Sequence, residues 1–425
     1  MRQRLFRVAR VAIASAVAIA VTSSSPQSQS ITGLDAQVAA LVASISQARL
    51  QQLLPVLVAF GTRDARSATS DPRRGNRAAG QWIYDELLRS GSRLQVSFDV
   101  HQVAKGEVAG FPEGAEIRNV VAVMPGRSPR RIYVTGHYDS YHRGGGPEAD
   151  APGANDDGSG TVLVMELARA FAASRIDFDA TLVFMASSAE EQGLVGARLH
   201  AARVQKTDTA IQADFNNDIV GGVMDEDRNA DRTSVRVFSA GPEDSPSRAL
   251  AVFTRRVAAR YVPSHRVRLI AHGDRQGRSG DHEAFNRAGV AAIGFRESRE
   301  SLSRQHNEKD TLDTISFPYL TQNARVNAAA VAELALAPPP PTLNGISTSV
   351  SDVRTATLRW KAVANAIGYR VYWRDAWGPN WQHDVQVGNA TQHVVPHVTV
   401  DDSVFGVAAI GPGGHESTIA VYATK

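Results

Sequence analysis

Four consecutive prolines, Pro338 to Pro341, divide this chain more sharply than any other feature. Proline fixes φ and lacks an amide hydrogen, so neither a helix nor a central strand can run through them, and a stiff extended spacer is expected. The two sides also differ in period. Before the prolines, Asn119 to Met124, Arg131 to Thr135, Thr181 to Ala186 and Ala291 to Phe295 read as strands of a buried sheet. Between and around them Thr161 to Phe171, Gln192 to Val204, Ser247 to Tyr261 and Tyr319 to Leu336 read as helices, with Leu34 to Phe60 and Asn76 to Leu88 ahead of them. Strands alternating with helices argue an α/β layer architecture with helices on both faces. After the prolines, Leu358 and Trp360, then Tyr369, Val371 and Trp373, then Phe405, Val407 and Ala409 fall on alternate positions, which predicts a small β-sandwich.

Length supports two folded units, since 425 residues exceed the ~250 to 300 at which single cores stop growing. The expected division is residues 1–25 as an export signal, 32–337 as the α/β domain, 338–342 as the linker and 343–425 as the sandwich. The signal rests on Arg2, Arg4, Arg7 and Arg10 running into apolar Val11 to Val21 and then a Ser/Pro/Gln-rich exit. That apolar run is short for a membrane span, which needs ~20 residues. Without the four arginines the 46 basic residues nearly balance the 43 acidic ones, so no nucleic-acid footprint remains. No cysteine occurs, which removes disulfides and any cysteine nucleophile.

The chemistry sits where open α/β sheets put their ligands, just beyond strand ends. His137 follows a strand in Gly136-His137-Tyr138-Asp139, and Asp139 is placed to fix the imidazole tautomer. Asp156 lies in a glycine-rich loop, Gly153-Ala154-Asn155-Asp156-Asp157-Gly158, where a carboxylate can approach two cations at once. Glu190 and Glu191 follow another strand; neighbouring carboxylates let one bind metal while the other accepts a proton from water. Asp218 closes a β-like stretch, and His306 lies in a polar loop ahead of the last helix of this half. Each could serve structure alone, as a turn aspartate, a helix cap or a surface histidine. Together they make a nitrogen and oxygen donor set without sulfur, suited to zinc, cobalt or manganese.

These motifs, in this order, resemble the secreted aminopeptidase family of dinuclear zinc peptidases over roughly Leu34 to Leu336. The resemblance implies a three-layer zinc-exopeptidase fold with a mixed central sheet. It implies two Zn2+ ions, one held by His137 and Asp218, the other by Glu191 and His306, with Asp156 bridging and Glu190 as catalytic base, supported by Asp139. Asp281 matches a segment that supports the site in the family. Its neighbour His282 is the rival for the last ligand, but Asp310-Thr311 after His306 favours His306. Two departures stand out: Asn216-Asn217 replaces an apolar residue before Asp218, and Arg296 to Gln305 is rich in arginine. The tail resembles a fibronectin type III module, with Ser403 where a corner tyrosine commonly stands.

The implied activity is release of N-terminal amino acids from peptide substrates outside the cytoplasm. Two same-fold alternatives are a carboxypeptidase, which the arginine-rich loop keeps open, and a single-zinc glutaminyl cyclase, which the complete ligand set disfavours. A non-catalytic binding protein, with the sandwich attaching to a glycan or protein surface, is the alternative of another class; Trp377 and Trp381 are its candidate contacts. Gly158-Ser159-Gly160 lacks the spacing of a nucleophile elbow, which removes a serine hydrolase.

Overall fold

A computed structural model describes residues 34–207, 210–349 and 352–422, so the expected export signal lies outside the described residues. Helices α1 (Ala36–Ala43), α2 (Gln47–Val58) and α3 (Gly75–Arg89) precede strands β1 (Gln95–Val103), β2 (Ala115–Met124) and β3 (Ser128–His137). Then follow α4 (Gly158–Ala173), β4 (Ala180–Ser187), α5 (Val195–Gln205), β5 (Ile211–Asn217), β6 (Ser234–Ser239), α6 (Pro246–Tyr261), β7 (Arg266–Ile270), α7 (Asp281–Arg287), β8 (Ala291–Glu297) and α8 (Phe317–Leu336). The stretch expected as one helix over Leu34 to Phe60 is two, because Ser46 caps α2 by accepting from the Arg49 amide at 3.2 Å, and its own amide is taken by Glu166 at 2.7 Å.

The sheet has eight strands in the order β1-β2-β4-β3-β5-β8-β6-β7. Its centre, β4-β3-β5-β8, is parallel, and antiparallel pairs join it to the flanking strands. Side-chain alternation sorts the strands between two cores. Val120 and Ala122 of β2, Ile132 and Val134 of β3, and Leu182 and Phe184 of β4 pack with α1 to α4, α6 and α8. Val121, Tyr133, Val183 and Met185, one residue out of phase, pack with α5 and α7 on the opposite face. Every position of β4 is buried, as a central strand covered on both sides requires.

Beyond the prolines, β9 (Leu343–Ser349), β10 (Asp352–Trp360), β11 (Gly368–Asp375), β12 (His383–Gln386), β13 (Gln392–Pro396), β14 (Ser403–Ile410) and β15 (Ala420–Val421) form two sheets, β13-β10-β9 and β12-β11-β14-β15. Leu358, Trp360, Tyr369, Val371, Phe405, Val407 and Ala409 are its core, the same alternate positions read from the sequence. The sandwich folds back on α6 and α8: Arg256 donates to the Tyr372 hydroxyl at 2.7 Å, and His415 meets Glu333 at 2.8 Å. The described residues from 34 to 422 therefore form one compact unit.

Candidate metal centre

Because the four central strands run parallel, their carboxyl ends meet on one edge, and the loops leaving that edge carry the candidate ligands. His137 is the last residue of β3, Glu190 and Glu191 follow β4, and Asp218 follows β5. β4 and β5 lie on opposite sides of β3, so the chain crosses over β3 between them and opens a crevice there.

Asp157 ties these ends together. Its carboxylate accepts the His137 amide at 3.0 Å, the Gly160 amide at 2.8 Å as the cap of α4, and the Ile219 amide at 3.2 Å. The peptide between Asp156 and Asp157 is cis. Gly160 is required by proximity: a Cβ there would stand 2.1 Å from the Asn217 carbonyl oxygen. Asp310 accepts the backbone amides of Asn155, at 3.0 Å, and Asp156, at 2.8 Å, fixing the loop from the other side. Arg63, fully buried, donates to the carbonyls of Tyr138, Pro152 and Gly153. Ile219 sits at φ 57, in the left-handed region a β-branched residue avoids, and is held there by its bonds to Asp157 and to the Glu297 amide at 2.7 Å.

The five expected ligands converge. His137 Nε2 is 3.4 Å from Asp156 Oδ1 and 3.6 Å from Asp218 Oδ1. His306 Nε2 is 3.1 Å from Asp156 Oδ2 and 3.3 Å from Glu191 Oε2. Two three-residue donor groups result, sharing Asp156 through its two different oxygens. Glu190 belongs to neither group; its Oε2 is 4.0 Å from His137 Nε2. His282 is placed elsewhere: buried, with its ring nitrogens near the Gly273 carbonyl at 2.7 Å and the Asn216 side chain at 3.3 Å. The unusual Asn216 and Asn217 are satisfied locally, Asn216 donating to Thr135 and Asn217 exchanging hydrogen bonds with Asn327.

Asp139 does more than its spacing suggested. His137 Nδ1 lies 3.1 Å from the Asp139 carbonyl and 3.4 Å from its carboxylate, so the carbonyl is the nearer tautomer-fixing acceptor. The carboxylate oxygens accept the amides of Glu190 and Glu191, each at 3.2 Å. Asp281 accepts a hydrogen bond from the hydroxyl of Ser187, the last residue of β4. Arg63, Asp157 and the Arg296–Asp274 pair were not foreseen. Arg296, completely buried, grips both Asp218 and Asp274. The arginine-rich loop was its only trace in the sequence; nothing there marks Arg63.

The donors fit divalent cations. His137 Nε2, Glu191 Oε1 and Asp218 Oδ1 are buried side-chain atoms without a hydrogen-bond partner, and all three belong to the cluster. Burial, with negative neighbours, pushes Glu190 and Glu191 well above the ordinary carboxylate range, and raises Asp157 likewise. Despite burial, Arg296 and His137 hold Asp218 down to about 2, while His137 and His306 hold Asp156 far down. So many buried carboxylates facing two imidazoles call for added positive charge, and nitrogen and oxygen donors suit zinc.

A family model described as Peptidase family M28 matches residues 119–331. A probable zinc metalloprotease of Pyricularia oryzae is 34% identical over 431 residues, covering 90% of this chain and 84% of its own. A probable zinc metalloprotease of Leptosphaeria maculans is 33% identical over 427 residues, covering 91% and 96%. Among solved structures, the Legionella pneumophila LapA aminopeptidase superposes with TM-score 0.57 at 21% identity, over 72% of this chain and 75% of that one. Porphyromonas gingivalis glutaminyl cyclase superposes with TM-score 0.52 at 18% identity, over 68% and 99%. Both share the fold.

Proposed function

The chain belongs to peptidase family M28, and from that premise we propose that it is a secreted zinc aminopeptidase that removes N-terminal residues from peptides. The observation that carries this reading is the pair of donor groups joined at Asp156, with Glu190 beside them and outside both. His137 and Asp218 would hold one zinc, Glu191 and His306 the second, and Asp156 both. Bound zinc would supply Lewis acidity, activating water and polarising the scissile carbonyl.

The chain's own groups do the rest. Glu190, raised by burial and close to the donors, accepts the proton of the attacking water at its carboxylate and delivers it to the leaving amine. Asp139 positions Glu190 and Glu191 together through their amides and keeps His137 oriented. Asp157 and Asp310 fix the loop that aims Asp156, so the donors need little reorganisation. The complete double donor set favours two ions over the single-zinc cyclase. Residues 1–25 fit an export signal, and the two-sheet tail fits a fibronectin type III module.

The test is a panel of aminoacyl-nitroanilides with an N-blocked peptide beside it, before and after chelation and with zinc restored. Release from free-amine substrates only, lost on chelation and regained with zinc, is the expected result. Cleavage at a free C-terminus, or cyclisation of N-terminal glutamine without peptide hydrolysis, would overturn it.

A further inference from the structure

A cavity lies away from the metal centre, where α6 and β7 face the four-stranded sheet of the sandwich. Its volume is about 560 Å3, within the range of small-molecule sites. The lining is uneven in charge: Arg248, Arg255, Arg268 and Arg374 face a single acid, Glu243. Glu243 pairs with Arg374 at 2.8 Å, and Arg268 stands 3.9 Å from Asp231. Arg248 and Arg255 have no carboxylate partner among the described residues. Arg248 donates through Nη1 to the Ser239 hydroxyl at 2.7 Å and the Ile270 carbonyl at 3.3 Å and through Nη2 to the Gly241 carbonyl at 3.5 Å, with Glu243 its one nearby negative charge. Arg255 donates to the Asn380 amide oxygen at 2.7 Å. Both guanidinium groups are half-buried, and burial depresses both pKa values, with no counter-charge acting on Arg255. The remaining wall is apolar, led by Trp381, whose ring carries the Arg374 guanidinium 5.4 Å from its centroid.

We propose that this junction cavity binds a small organic anion, a carboxylate or phosphate carried on an apolar body. The anion meets the open guanidinium edge of Arg255 and the remaining N–H groups of Arg248 in charge-assisted hydrogen bonds, and the body lies against Trp381. Such a ligand touches α6 from the peptidase half and the Trp381 loop from the sandwich, so it fastens the two together.

Calorimetric titration of the full chain with phenyl phosphate and with phenylacetate tests this and separates the two anion types. Inorganic phosphate and benzyl alcohol serve as the anion-only and body-only controls. At least one aromatic anion should saturate at one site, with each control at least about ten-fold weaker, and Arg255→Gln should weaken it by about ten-fold or more. Arg248→Gln provides the same readout if Arg255→Gln melts abnormally. No saturable heat up to millimolar ligand, affinity unchanged in the folded variant, or inorganic phosphate binding as tightly as phenyl phosphate would each overturn the assignment.

Discussion

Arg143 Nη2 lies 3.0 Å from His306 Nδ1, and an arginine can only donate, so this contact needs Nδ1 unprotonated. Nitrogen Nε2 faces Asp156 and Glu191, and a cation there would leave the ring proton on Nδ1, where Arg143 could no longer donate. Arg143 therefore opposes a proton on Nδ1, and Arg143→Ala should bind zinc equally or more tightly in a competition titration against a chelator. A clear loss of affinity would make it a support. Glu190 leads to the complementary prediction: Glu190→Gln should lower kcat by ~10² to 10⁴ with zinc content unchanged. A rate near that of the unaltered chain would remove it as base. Of the candidate ligands, His137, Glu191 and Asp218 were legible because each closes or follows a strand, whereas Asp156 and His306 were legible only from the loop motifs around them. Arg63, Asp157 and Arg296 were not, because they act through backbone carbonyls, amides and another acid, contacts that only the closed fold brings together.

At the level of elements, the strands that sequence displayed best are those covered on both faces. β2, β3, β4 and β8 were visible as apolar runs; β1, β6 and β7 were missed, β1 and β7 because their exposed positions dilute the pattern and β6 because it is short and carries Arg236 within it. The break between α1 and α2 hid for another reason, its cap being completed by Glu166 from α4. The short segment between α6 and β7 carries a further consequence. His265 is buried, bonded to Asn323 at 2.7 Å and set edge-on to Tyr319, and burial lowers its pKa. The unfolded chain protonates it near ~6.5. Stability from keeping it neutral is thus fully present above that pH and is lost as pH falls through the lower folded value. Urea midpoints taken on either side of that pH should drop less in His265→Gln than in the unaltered chain. Equal drops would place the titration elsewhere.

Taken whole, the molecule is less divided than its prolines imply. Pro338 is buried and packs against Gly411, and the sandwich returns to α6 and α8 through Arg256, Glu333 and Glu243. Glu333 is bonded to both Tyr261 and His415, so removing the tail strips a buried carboxylate of one partner. A chain ending at Ala337 should accordingly melt at lower temperature than the full chain; an unchanged melting temperature would mean that the junction contributes nothing to stability. Asp310 has a consequence in time as well as space. It stands 154 residues beyond the Asp156 amide it receives, and His306 arrives just ahead of it. A nascent chain that has not yet reached this point lacks both His306 and the clasp on the Asp156 loop. Assembly of the candidate metal centre is therefore postponed until nearly the whole peptidase half has been synthesised.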